Sequence, residues 1–175
     1  KDLFSLLGNE QQIKNHDSVQ MLKEQRRGAE DIVELINEPF YDNELTTISQ
    51  PSQEKAKEAS PKPGHISFIN LPDDESNQAK YSKNKSRYNS LSREKTIKLI
   101  NTIVEEKLPI QSIGIITPYR QQVMDYKKDL ENLETNEIDI KPGTIHTFQG
   151  SESDIIIWDI VDSPRNRVGR LYMGE

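Results

Sequence analysis

Two short runs rich in β-branched residues, Ile113-Gly114-Ile115-Ile116 and Ile155-Ile156-Ile157-Trp158, limit the folds open to this chain. Neither alternates apolar with polar residues, so each is expected to be a strand buried on both faces, as in a parallel sheet. Helical stripes accompany them. Ile97, Ile100, Ile103 and Val104 form one stripe between about Ser92 and Lys107, ended by Pro109, and Val123, Tyr126, Leu130 and Leu133 form a second. Strand and helix in alternation predict an α/β fold, with a parallel sheet covered by helices on both faces.

Upstream the pattern is thinner. Ser18 to Leu22 reads as a short strand, Ile32, Leu35 and Ile36 as a helix running to about Asn37 and stopped near Pro39, and His65 to Leu71 as another strand. The segments 46–64 and 72–89 are polar, and both are expected to be mobile insertions in a single domain spanning 1–175. A hydrophobic fraction of 33% and a mean hydropathy of −0.81 are low for a compact fold and fit such insertions. Asp73-Asp74-Glu75-Ser76 imitates an acidic magnesium motif, but Pro72 separates it from the strand before it, and it reads as a solvated loop.

A net charge of −6 argues against a broad basic surface for nucleic acid, yet leaves room for a narrow groove lined by amides and hydroxyls. The chain has no cysteine, which removes disulfides and thiolate metal sites. With no signal peptide and no transmembrane run, a cytoplasmic location is expected. The chain opens at Lys1 and stops at Glu175, shortly after a strand, so a piece of a longer protein is expected.

The segment Gly143-Thr144-Ile145-His146-Thr147-Phe148-Gln149-Gly150-Ser151-Glu152-Ser153-Asp154 is densely polar and leads straight into the second apolar run. It is expected at one edge of the sheet, where ligands sit in α/β folds. Gly150 permits a tight turn, and Gln149 and Glu152 offer an amide and a carboxylate suited to ribose hydroxyls or adenine edges. Thr144 and His146 flank Ile145 and would share one face of an extended segment, toward phosphate oxygens. The plainer alternative is a polar loop in which Thr147 or Ser151 caps a short helix and Asp154 opens the strand. After the first run, Thr117-Pro118 reads as an N-cap followed by a first helical residue, a junction that favours an anion, and Tyr119 suits packing or stacking equally.

The ordered pattern T-x-H-x-x-Q-G-x-E-x-D resembles the fifth conserved motif of superfamily 1 helicases, in their Upf1-like and Dna2-like branch. Ile113-x-x-x-Thr117-Pro118-Tyr119-x-x-Gln122 is similar to a second segment of that branch, and Gln25-Arg26-Arg27 with the later Phe40-Tyr41 resembles a third, although Gly28, Ala29 and Glu30 depart from it. Asn89 and Glu94 fit a further feature before the long helix, and locally they look like ordinary helix-start residues. The resemblance implies a second RecA-like domain of P-loop NTPase type that lacks its own phosphate loop. It implies that Arg27 is catalytic at the terminal phosphate of ATP, that Gln149, Gly150 and Glu152 contact the nucleotide, and that Thr117, Pro118, Tyr119, Thr144 and His146 contact nucleic acid.

ATP and Mg2+ would be held mainly by a preceding RecA-like domain, and no metal ligand is assigned in this chain. The implied activity is ATP-dependent translocation on, and unwinding of, nucleic acid. The implied partners are single-stranded nucleic acid, DNA favoured over RNA, and that preceding domain, with no membrane. Two alternatives stay open: a degenerate RecA-like module that binds nucleic acid or a protein without ATPase activity, and a generic nucleotide-binding α/β domain.

Overall fold

The computed structural model describes residues 16–17, 19–26, 28–48, 66–135 and 137–163. They fall into two compact units, one holding the described residues up to 48 with Ile66, the other 67–163.

In the first unit a parallel two-stranded pair, β1 (Glu24–Gln25) and β2 (Thr46–Thr47), flanks helix α1 (Glu30–Tyr41). The expected strand at Ser18 to Leu22 is absent among its described residues, and pairing begins only at Lys23, whose carbonyl accepts from the Thr46 amide. Leu22 is exposed, so no burial holds that stretch extended. Helix α1 runs through Pro39 rather than stopping before it. Proline removes one helical bond, but Asp42 turns left-handed (φ 51°) and the amides of Asp42 and Asn43 both reach the Asn37 carbonyl, so the last turn stays closed. The Asn37 side chain then bonds both the amide and the carbonyl of Leu45.

The second unit is built on a three-stranded parallel sheet in the order β6 (Asp139–Gly143), β5 (Ser112–Ile116), β7 (Ile155–Trp158). Helices α2 (Ser90–Glu105) and α3 (Arg120–Leu130) supply Ile100, Ile103, Val104 and Tyr126, which close over Ile113 and Ile115. Since side chains alternate along a strand, Gly114 faces the opposite side. There the one-turn helix α4 (Ile145–Phe148) lays the Phe148 ring over Gly114 and Gly143; a Cβ would come within 2.6 Å of that ring at the first position and 2.8 Å at the second. Phe148 thus requires glycine at both. The α/β expectation with a parallel sheet is met, in keeping with a RecA-like domain.

Other expectations change in this unit and at the insertions. Residues 66–71 form no strand; Phe68 is exposed, and no neighbouring strand pairs with it among the described residues. The stretch 72–89 holds an antiparallel hairpin, β3 (Lys80–Tyr81) against β4 (Arg87–Tyr88), instead of loop alone. Buried Asn77 and Ala79 anchor its approach. Strand β6 was not expected because Lys141 and Pro142 interrupt any apolar run; on an outer strand, a proline without an amide is tolerated. Of the proposed insertion 46–64, Thr46 and Thr47 are paired in β2, and residues 49–65 lie outside the described residues. Asp74 accepts from the amide and hydroxyl of Ser76, a local turn.

At the start of the sheet the Asp154 carboxylate accepts from the amides of Gln111 and Ser112, each at 2.9 Å, and from the Ser112 hydroxyl at 3.0 Å. Burial works against its charge, but these three donors outweigh burial and hold its pKa below the ordinary carboxylate value. A lowered folded pKa stabilises above the unfolded value near 4, and that contribution is lost as pH falls below it. Because this carboxylate is largely solvent-exposed and screened, Asp154→Ala is expected to cost only roughly 0.5–1 kcal/mol in urea unfolding at pH 7. The gap to wild type should shrink below about pH 4.

Candidate functional site

The carboxyl ends of the three parallel strands bring together segments distant in sequence, the place where ligands bind in open α/β sheets. β5 runs into Thr117–Tyr119, β6 into Thr144, and β7 into Asp159–Ser163. The Thr117 amide donates to the Gly143 carbonyl at 3.1 Å and the Asp159 amide to the Ile116 carbonyl at 2.9 Å, so the three exits are tied side by side.

Beneath this edge lies a buried polar network. Asp159 Oδ2 accepts from Tyr126 at 2.6 Å, Gln122 at 2.7 Å and Ser92 at 3.3 Å, and Oδ1 accepts from the Val161 amide at 3.0 Å. Gln122 in turn accepts from the Asn89 amide and donates to the Asn89 carbonyl. Asn89 caps α2 by accepting from the amides of Leu91 and Ser92, while its side-chain amide donates to Asn77 and to the Val161 carbonyl. Its helix-start role was visible in sequence; its hold on Val161 was not. Burial, followed by the charge and hydrogen bond of Asp159, pushes the Tyr126 pKa well above the ordinary tyrosine value, so its hydroxyl stays a donor.

Val161 has φ 68°, a left-handed conformation that a β-branched residue adopts only under constraint. Both its amide and its carbonyl are held by the network, which supplies that constraint. The turn delivers Asp162 to Arg87, 2.6 Å away, and to the Tyr119 hydroxyl, which donates to it at 2.8 Å. Burial alone would lower the Arg87 pKa, but its bonds to Asp162 and Tyr81 and the Asp162 charge raise it overall. Tyr119 is pushed up to about 12, first by burial and then by Asp162, so it is neutral at physiological pH.

The residues expected in the site are distributed unevenly. Thr117 is not the cap of α3; Tyr119 is the N-cap residue, and Thr117 is fully buried with a hydroxyl that meets no partner among the described residues. Pro118 and Tyr119 are part-exposed beside it. Thr144 and His146 do not share a face of an extended segment, because Thr144 is the N-cap residue of α4 and His146 lies within that helix, exposed. The Thr144 and Thr147 hydroxyls pair at 3.0 Å.

Nor does the 143–154 cluster sit at one edge. It starts at the carboxyl edge of the sheet and ends at Asp154, bonded to the amino end of β5. Gln149, Gly150 and Glu152 lie exposed on that return path. Gly150 has φ 82°, and a Cβ there would meet nothing within 4 Å, so the turn needs glycine for its conformation and leaves open space around it.

Arg27 lies outside the described residues. The Gln25 side chain accepts from the Gly28 amide and donates to the Gly28 carbonyl and the Thr47 hydroxyl. These bonds escaped the sequence reading, as did those of Gln122, Asp159 and Asp162. The Gln149 amide and the Glu152 carboxylate stand exposed around the open Gly150 turn. No group of three or more His, Cys, Asp or Glu among the described residues could hold a metal ion. No helix among them is long and apolar enough to cross a membrane.

Residues 3–172 match the AAA domain family, and the chain belongs to that family, which is found in Upf1-like superfamily 1 helicases. It is 30% identical over 153 residues to an uncharacterized ATP-dependent helicase of Methanocaldococcus jannaschii, covering 81% of this chain and 22% of that protein. It is 28% identical over 157 residues to the RNA helicase Mov10l1 of Homo sapiens, covering 85% of this chain and 13% of that protein. A shorter match, 43% over 56 residues, joins it to the DNA polymerase alpha-associated DNA helicase A of Saccharomyces cerevisiae, covering 32% of this chain and 8% of that protein. The chain spans less than a quarter of the length of these relatives.

The network gives a ranked expectation for stability. Tyr126→Phe removes one buried donor and should cost about 1–1.5 kcal/mol. Gln122→Leu strips an acceptor from Asn89 and a donor from Asp159 and should cost roughly 2–3 kcal/mol. Equilibrium urea unfolding of both variants checks the order.

Proposed function

We propose that this domain supplies half of an ATP cleft and half of a single-strand track in an ATP-dependent helicase, working with a preceding RecA-like domain inside the cell. The observation that supports this most is the convergence of Thr117–Tyr119, Thr144 and Asp159–Ser163 at the carboxyl edge of a parallel sheet. Pro118, Tyr119, Thr144 and His146 would meet the strand, with Thr117 buried beneath them at the turn that aims Tyr119. Gln149, Gly150 and Glu152 would meet the nucleotide. ATP with Mg2+ would supply the phosphoryl chemistry whose free energy drives movement. Arg27 would place a guanidinium where negative charge grows on the terminal phosphate. The named relatives include both an RNA helicase and a DNA helicase, and DNA is our choice for this chain.

One observation favours a second reading, a RecA-like module without ATPase activity: Ala29, in the segment that departs from the helicase pattern, occupies the N-cap of α1 without a capping side chain. The full-length protein separates the two. Arg27→Ala is expected to lower kcat at saturating strand by at least about tenfold, with little change in strand affinity. Thr144→Ala is expected to weaken strand binding by about 1 kcal/mol, with nucleotide affinity unchanged. ATPase assays and anisotropy at fixed salt provide the two readouts; a wild-type protein that binds strand without turnover would establish the module instead. The 175-residue chain by itself is expected to show no ATP hydrolysis.

A further inference from the structure

We propose that the β3–β4 hairpin is a nucleobase-stacking subsite, with Tyr81 as its platform, for single-stranded nucleic acid leaving the carboxyl edge of the sheet. This rests on the single-strand reading above and adds residues that no motif assigned.

Tyr81 is 62% exposed, yet its orientation is fixed: Arg87 donates to the Tyr81 hydroxyl from Nε at 3.0 Å and from Nη2 at 2.8 Å. The same guanidinium lies 5.2 Å from the Tyr81 ring centre and 5.8 Å from that of Tyr119, so it links the hairpin to the strand-edge tyrosine. Asp162 holds Arg87 from within; the Arg87 side chain is only 12% exposed and that of Asp162 only 7%. Its charge is therefore spent on the protein and not offered to a phosphate. A rigid, water-facing aromatic ring contributes little to folding, whereas it presents a preformed face to a base.

The surroundings select the ligand. From residue 80 to 88 the chain reads Lys-Tyr-Ser-Lys-Asn-Lys-Ser-Arg-Tyr, with no acidic residue in a chain of net charge −6. Lys80, Lys83 and Lys85 join no ion pair among the described residues, and neither does Arg120 across the groove. Between hairpin and helix lies an open hollow of about 360 Å³, lined by Asn84, Ser86, Pro118, Tyr119 and Arg120 among others. The Ser86 hydroxyl accepts from the Gln121 amide at 3.0 Å, fastening hairpin to helix. Lysines without ion pairs on the same hairpin as an exposed aromatic ring match a phosphate backbone carrying bases, the usual chemistry of single-strand binding.

The test uses the full-length protein and fluorescent homopolymers of deoxythymidine and uridine, with an abasic deoxyribose strand of equal length as control, read by anisotropy at fixed salt. Tyr81→Ala is expected to raise Kd about five- to tenfold for both base-bearing strands and to leave the abasic strand unchanged. Tyr81→Phe, which keeps the ring, should stay within about threefold of wild type. Lys83→Ala should weaken all three strands alike and flatten the salt slope by about one. Tyr81→Ala binding base-bearing strands as tightly as wild type would overturn the subsite while leaving the helicase reading intact. An equal loss on the abasic strand would overturn stacking in favour of charge alone. A wild-type protein that binds no strand but captures polyglutamate would overturn both and point to an acidic protein partner.

Discussion

The Asp159 carboxylate is the point on which the edge of the sheet depends. Buried at the end of β7, it accepts four hydrogen bonds, from Tyr126 and Gln122 on α3, Ser92 on α2 and the Val161 amide. A buried acceptor of this kind costs several kcal/mol if its donors are removed, so the two helices and the strand end are selected together. Apolar packing of Ile100, Ile103 and Tyr126 on Ile113 and Ile115 brings the helices to the sheet. The network then fixes their register.

The surface residues inherit that register through Val161. Its left-handed turn is held at both its amide and its carbonyl, and it aims Asp162 at Arg87 and Tyr119. The chain of contacts therefore runs from a buried carboxylate, through one strained residue, to an ion pair and then to two aromatic rings at the surface. Strain of this sort persists only where surrounding bonds over-determine it. A separate device serves the other face, where Phe148 over Gly114 and Gly143 seats the helix that carries His146 and leads to the Gly150 turn.

What could be read from sequence follows from the length and periodicity of each signal. Ile113–Ile116 and Ile155–Trp158 were legible as strands because short runs rich in β-branched residues have few other homes, but only β5 is buried on both faces: in β7 Ile156 and Trp158 stay exposed, contrary to the expectation. The α2 and α3 stripes were legible because four apolar residues recur at helical spacing. Strand β6 was hidden by Lys141 and Pro142. The hairpin was hidden because its strands are two residues long and its anchor, Asp162, lies 75 residues from Arg87. Motif order identified the family, yet the placement of its residues was less accurate: Tyr119 rather than Thr117 begins α3, and Thr144 begins a helix rather than an extended segment. Gln122 stood in a motif with no role attached, and Asp159 lay outside every motif. Hydrogen bonds between residues more than 30 apart leave no periodicity for a sequence to display.

Asn89 and Asp159 act jointly, by holding the carbonyl and amide of Val161 and by sharing Gln122. A double-mutant cycle of Asn89→Ala and Asp159→Ala, measured by equilibrium urea unfolding, tests this directly. A coupling of about 1 kcal/mol or more is the predicted result, because either change alone already releases the turn. Losses that add to within about 0.5 kcal/mol would contradict it, showing two independent anchors and no shared network.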